Sequence, residues 1–171
     1  MNSSIEQVLR ESRQAAEALF FPPFIGGERE STPLNASPYV AHLDDLREGR
    51  FLSIRGALVR EFTAALEGLP AHGIHAVASL LGGSAIGPKP NPGDLDCVVF
   101  YEAANGAAPT GNLQSLLTRS KARGIDMRLI PIDGDIVLLL KTVSYFSMLY
   151  SKNAGSLEIV RGLALIDCRE R

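Results

Sequence analysis

The sequence feature that most constrains the fold is a pair of apolar segments, Ile74–Leu81 and Leu95–Tyr101, joined by a loop rich in glycine and proline. Both have the length of buried strands, the first is bounded by glycines, and the second is rich in Val and Phe. A third segment, Ile125–Ile132, alternates apolar and polar residues, which is typical of a strand with two different faces. We therefore expect a sheet in which these three strands lie close together.

Helical spacing of apolar residues predicts a helix over residues 51–66, and a second helix is expected over Asn112–Arg123, where Gly124 marks its end. Residues 136–150 fit either a helix or a strand, and Glu158–Asp167 is expected to form a last strand. Three aromatic residues are expected in the core: Tyr145, Phe146 and Tyr150. The pattern predicts an α+β fold, a mixed sheet of four or five strands with helices packed mainly on one face.

The N-terminal region differs from the rest of the chain. Residues 4–19 have an apolar stripe and a capping box, which predict a helix. Phe-Phe-Pro-Pro at 20–23 ends it, and an irregular stretch is expected to continue to about residue 41. We therefore divide the chain into residues 1–40, a helix and an irregular segment packed on the core, and residues 41–171, the main domain.

Composition limits the classes of function. The chain has 171 residues, 46% of them apolar, and a net charge of −2. The acidic excess lies in residues 1–111 and a basic excess in 112–171, so no overall positive field favours long nucleic acid. Two cysteines do not make a disulfide framework, and no apolar run approaches the roughly 20 residues needed to span a bilayer. The first residues lack a signal-peptide pattern, so we expect a cytoplasmic protein.

The candidate chemistry lies around Gly83-Ser84 and, after nine intervening residues, Asp94-Leu95-Asp96. Residues i and i+2 of a strand point to the same face, so the Asp94 and Asp96 carboxylates are expected side by side. Two such carboxylates repel each other unless a cation lies between them. Gly83 permits close backbone approach, and N–H groups near Ser84 are suited to phosphate oxygens.

Asp126 supplies a third carboxylate if its strand lies next to the Leu95–Tyr101 strand. Three carboxylates are suited to holding two Mg²⁺ ions in a phosphoryl- or nucleotidyl-transfer site, where one ion binds the triphosphate and the other activates a hydroxyl. In that arrangement Asp126 is the residue expected to activate the acceptor. Lys89 is a candidate contact for the triphosphate, although an exposed loop lysine without such a role is an equal alternative.

These residues resemble the polymerase-β-type nucleotidyltransferase superfamily, and more closely a group of small bacterial nucleotidyltransferase-like proteins of unknown function. The group's motif is matched by these residues: Gly82, Gly83, Ser84, Lys89, Pro92, Asp94 and Asp96. A downstream ending is similar at these positions: Tyr145, Phe146, Gly155, Arg161 and Gly162. The resemblance implies Mg²⁺-dependent transfer of a nucleoside monophosphate from an NTP to a hydroxyl of a small molecule or a protein.

Two features favour an alternative without catalysis. Pro88, Pro90 and Pro92 lie in the loop where many members of the superfamily begin a short helix, so this loop must be built differently. No helical domain of the kind that binds an acceptor follows the third strand. The alternative is a nucleotidyltransferase-fold module that binds a protein, for instance in a toxin–antitoxin-like pair. A protein partner or a homodimer is compatible with either function.

Overall fold

A single mixed sheet of five strands organises the residues that the computed structural model describes, which are 37–49, 52–87, 89–104, 111–152 and 161–169. The order across the sheet is β1-β5-β2-β3-β4. The strands are β1 (Tyr39–His42), β2 (Ile74–Gly82), β3 (Leu95–Ala103), β4 (Ile125–Pro131) and β5 (Ala164–Asp167). β2 runs antiparallel to both β3 and β5, whereas β3 is parallel to β4 and β1 is parallel to β5.

The helices cover both faces of this sheet. They are α1 (Leu43–Arg47), α2 (Gly56–Glu67), α3 (Leu113–Ala122) and α4 (Ile136–Ser151). The first three pack with the larger apolar cluster, which includes Phe62, Cys97 and Ile125. α4 covers the opposite face, where it contacts Leu80, Val98 and other residues of a smaller cluster. The predicted α+β fold with a mixed sheet, and with most of its helices on one face, is confirmed.

Side-chain caps explain where two of the helices begin. The Asn112 side-chain oxygen accepts a hydrogen bond from the Ser115 N–H at 3.0 Å, and Gly124 beyond the helix has φ +84°. Asp135 caps α4 by accepting from two N–H groups of its first turn at 2.8 and 3.1 Å. This cap and the 16-residue length decide the ambiguous stretch in favour of a helix. None of the described helices combines the length and apolarity that a membrane span requires.

Four expectations need correction or lie outside the description. The stretch expected to be irregular up to residue 41 contains β1, which is a strand because it pairs with β5. The last strand begins at Ala164, and residues 161–163 precede it without strand geometry. Tyr145 is 60% exposed and is not a core residue. The helix expected over residues 4–19 and the rest of 1–36 lie outside the described residues.

Candidate active site

Strand register brings three of the predicted residues into one row across the sheet. Gly82, at the end of β2, is the partner of Asp96 on β3. Asp96 is in turn the partner of Asp126 on β4. Neighbouring strands lie about 4.8 Å apart, and register partners on parallel strands point to the same face. The Asp96 and Asp126 side chains therefore leave the sheet next to each other.

The side chains of this row lie on the sheet face that α4 covers. Asp96 alternates with Cys97 and shares its face with Val98, which packs under α4. Tyr150, near the C-terminal end of α4, lies over this end of the sheet and is buried. Its pKa is raised by burial first and then by the negative charge of Asp96. The predicted core position of Tyr150 is confirmed, and the same residue forms a wall of the site.

The two glycines are required by close contacts within the protein. A Cβ on Gly82 would overlap the Tyr150 side chain, so only glycine permits the ring to lie on the end of β2. Gly83 has φ +70°, a left-handed conformation that favours glycine, and a Cβ there would overlap Asp96 Oδ2. The Asp96 carboxylate thus packs directly on the Gly83 backbone.

Asp96 is a site carboxylate whose pKa is shifted by its surroundings. Its side chain is half-buried, and its pKa is raised by desolvation first and then by the charges of Asp94 and Asp126. Arg128 and Arg161 act in the opposite direction. Asp94 and Asp126 are therefore close enough to raise the pKa of Asp96, and the ionised form of Asp96 favours a nearby positive charge.

Asp126 already has positive neighbours. Its Oδ1 lies 3.2 Å from an Arg128 nitrogen, and its Oδ2 lies 3.3 Å from Lys121 Nζ. The Asp126 side chain is 22% exposed, while both cations are more than half exposed. Exposed ion pairs of this kind contribute little to stability and exchange partners readily.

Asp94 is held in place from its backbone. It is exposed and directly precedes β3, whose first residue, Leu95, donates its N–H to the Gly124 carbonyl at 2.7 Å. A Cβ on Gly124 would lie 3.0 Å from the Gly93 oxygen, so the loop ending in Asp94 rests on this glycine. The α3–β4 turn thus fixes the position from which the Asp94 side chain extends.

The loop between the glycines and the acids is built around a buried arginine. Arg55, just before α2, is 8% exposed, and its guanidinium donates four hydrogen bonds to loop carbonyls. The acceptors are Ala85 at 3.0 Å, Gly87 at 2.8 Å, Lys89 at 2.8 Å and Pro90 at 3.2 Å. Because prolines cannot donate backbone hydrogen bonds, this side chain supplies donors that a proline-rich loop lacks.

The remaining predicted residues lie on this same loop. Gly83–Ile86 forms one turn of 3₁₀ helix, with Ser84 partly buried in it, so a short helix does follow the glycines and the prolines come after it. Lys89 is exposed, and its carbonyl is one of the acceptors from Arg55. Its contact to a triphosphate stays a prediction.

Sequence reasoning missed Arg55 and did not assign a role to Arg161. Arg55 lies outside every motif, and its partners are carbonyls that any residue type would provide. Arg161 lies beside the loop, since a Cβ on Gly87 would come within 3.8 Å of its Nε. Its side chain also lowers the pKa of Asp96, which places a positive charge on the side of the site opposite β4.

The donor types fit a hard divalent cation such as Mg²⁺, because carboxylate oxygens are its preferred protein ligands. Burial first, and then the charges of Asp94 and Asp126, raise the pKa of Asp96 even though Arg128 and Arg161 lower it, so a bound cation would favour its ionised form. Among the described residues, however, no three His, Cys, Asp or Glu side chains stand in an arrangement ready to hold a metal ion. A cation would have to draw Asp94 inwards and take Asp126 from its two basic neighbours.

Comparison with protein families is informative for most of the chain. The profile of a Family of unknown function (DUF6932) matches residues 17–167, and this range contains every site residue described above. The chain belongs to the DUF6932 family. The matched range begins 20 residues before the first described residue, so part of the N-terminal region belongs to the DUF6932 domain. No curated protein and no solved structure gives a significant match.

Proposed function

We propose that this DUF6932 protein is a Mg²⁺-dependent nucleotidyltransferase that moves a nucleoside monophosphate from an NTP to a hydroxyl acceptor. The observation that carries the proposal is the Gly82–Asp96–Asp126 register, with Gly83 packed on the Asp96 carboxylate. It joins a glycine turn, an acidic pair and a third acid at one end of the sheet. The raised pKa of Asp96 supports a role in binding positive charge.

In this proposal Asp94 and Asp96 hold the cation together with Asp126. Bound Mg²⁺ would supply charge neutralisation of the triphosphate and a lower pKa for the attacking hydroxyl. Asp126 would orient the acceptor hydroxyl and accept its proton, because it stands at the outer end of the acidic row. Lys121 and Arg128, now paired with Asp126, would then be free to bind phosphate oxygens.

The loop residues would bind the rest of the nucleotide. N–H groups of the turn at Gly83 and Ser84 would bind the β- and γ-phosphates, with Lys89 as a further contact. Arg55 would act as a positioning residue, since it holds the loop through four carbonyls. The acceptor would be a small molecule or a protein side chain. We further place the protein in the reducing cytoplasm, where its two buried cysteines would stay free thiols.

A catalytically silent binding module is the second candidate, and one observation favours it. Both oxygens of Asp126 lie within 3.3 Å of a basic side chain, so its charge is balanced by the protein without a metal ion. In such a module the three acids would have only a structural role, as partners of the basic side chains at this end of the sheet. The function would then lie in contacts with a protein partner, for instance a toxin–antitoxin-like partner, or in a homodimer.

Thermal-shift measurements with each NTP, with and without Mg²⁺, separate the two candidates. A ligand that binds only the folded state raises the melting temperature by mass action, whatever the acceptor is. We expect a Mg²⁺-dependent shift that is lost in Asp96→Asn and kept in Asp133→Asn, an exposed acid beyond the opposite end of β4. Release of pyrophosphate in the presence of a deproteinised cell extract would then report transfer. A folded protein that no NTP shifts would contradict the enzyme and favour the silent module.

A further inference from the structure

α4 is apolar on the side that faces away from the sheet. Its inner side packs with the smaller cluster through four residues: Leu139, Val143, Phe146 and Tyr150. The outer side leaves these large apolar side chains 45–68% exposed: Ile136, Val137, Leu138, Leu140, Tyr145, Met148 and Leu149. Lys141 is the sole charged residue in the helix sequence. A helix that is apolar all round is normally buried, so we infer that the outer face has an occupant.

We propose that residues 19–25 of the same chain, Leu-Phe-Phe-Pro-Pro-Phe-Ile, cover this outer face. The segment carries five large apolar residues and no charge, and acidic residues stand on either side of it at Glu17 and Glu28. It thus complements a helix face that is apolar apart from one lysine. It also belongs to the DUF6932 match, which begins at residue 17, so it is part of the same domain as α4.

The topology puts this segment within reach of α4. The described chain starts at Ser37 beside β1, which is parallel to β5, and β5 is antiparallel to β2. Ser37 therefore lies at the Gly82 end of the sheet, where the last turn of α4 also lies. Ser37 and the last turn of α4 are separated by two strand spacings and one layer spacing, which amount to roughly 20 Å. The 11 residues between Ile25 and Ser37 span up to about 36 Å when extended, which is ample.

A tethered segment has an advantage over a second copy of the chain. Attachment through a short stretch of the same chain gives an effective concentration in the millimolar range, well above that of most free proteins. A symmetric pair of α4 helices would also bring two Lys141 side chains into one apolar interface, where desolvation disfavours them. The segment involves a single Lys141, and the acidic residues on either side of it, Glu17 and Glu28, supply the opposite charge.

Hydrogen–deuterium exchange on the full chain tests the proposal. Residues 19–25 have five exchangeable amides, because Pro22 and Pro23 have none. We expect these amides to exchange at least tenfold more slowly than in a free peptide of the same sequence, at every protein concentration from 1 to 100 µM. Tyr145→Asp and Leu149→Asp should return them to the free-peptide rate. The control Ile54→Asp, at an exposed apolar residue outside α4, should not.

Each other result overturns the proposal. Free-peptide exchange in the wild-type chain would mean that the segment does not dock. Protection that survives both α4 substitutions, with the β3 amides still slow as proof of folding, would place the segment elsewhere. Protection of α4 that rises with protein concentration would assign its outer face to a second copy.

Discussion

Arg55 provides the sharpest test of how the site loop is held. Substitution of Arg55 by methionine keeps an unbranched apolar stem and removes the donors of four hydrogen bonds to loop carbonyls. Two of these bonds, to Ala85 and Gly87, are buried. The other two acceptors belong to exposed residues and can bind water in the variant. The substitution therefore leaves two buried carbonyls without a partner.

The expected loss of stability follows from those two carbonyls. Each unsatisfied buried acceptor costs about 1–3 kcal/mol, so we expect Arg55→Met to lower the free energy of unfolding by about 2–6 kcal/mol. A domain has about 5–15 kcal/mol in total, so the loss is readily measured. The free energy of unfolding of Arg55→Lys should lie between those of the wild type and Arg55→Met. The lysine ammonium keeps the charge but lacks the planar guanidinium that reaches several acceptors.

Urea denaturation followed by far-ultraviolet circular dichroism measures the effect. Arg60→Met is the matched control, since Arg60 is an exposed arginine in α2, and it should change stability by less than about 0.5 kcal/mol. If the free energy of unfolding of Arg55→Met lies within about 1 kcal/mol of the wild-type value, the loop does not depend on the hydrogen bonds of this side chain.

Three further predictions concern the site and the helix beside it. Gly83→Ala should destabilise the protein by about 1–3 kcal/mol more than Gly49→Ala, because both glycines have φ +70° but only the first would press a Cβ onto Asp96; urea denaturation of the pair isolates the contact. Asp96→Asn should raise the melting temperature at pH 7, because the raised pKa of Asp96 makes its ionised form unfavourable in the folded state. The gain should vanish as pH falls below the pKa of Asp96 in the unfolded chain, because residue 96 is then neutral in both the wild type and the variant. A gain in melting temperature that does not depend on pH would contradict this cause. Asp135→Ala should cost about 1 kcal/mol through loss of two cap hydrogen bonds to α4, visible as faster amide exchange in its first turn and not in α3.

Much of the fold could be predicted because its central elements carry local signals. The strands around Val98 and Met127 are apolar and bounded by glycines, and Asn112 marks the start of α3 as an N-cap. These signals depend on residues close in the chain. β1 has no comparable signal, since it is four residues long and is a strand only through pairing with residues 125 positions away, as in Tyr39 with Ala164.

Part of the candidate site could also be predicted from the sequence, and part could not. The adjacency of Asp96 and Asp126 follows from two strands in sequence with a crossover helix between them, a connection that commonly gives parallel neighbours. The ion pair from Lys121 to Asp126 joins two elements and depends on how the α3–β4 turn ends. The role of Arg55 could not be predicted, because its recognition of backbone carbonyls leaves no trace in residue types.

The strand order also bears on how the sheet is assembled. β5, the last described strand along the chain, lies between β1 and β2, so β1 and one edge of β2 stay unpaired until it arrives, while β2, β3 and β4 can pair with one another early. Until then β2 presents an open edge, and such edges are templates for pairing with other chains. Closing a separation of this length is slow compared with local pairing. Misassembly during synthesis or refolding should therefore be governed by the time that β2 spends waiting for residues 164–167, and slow arrival of that segment should increase aggregation more than slow formation of any helix.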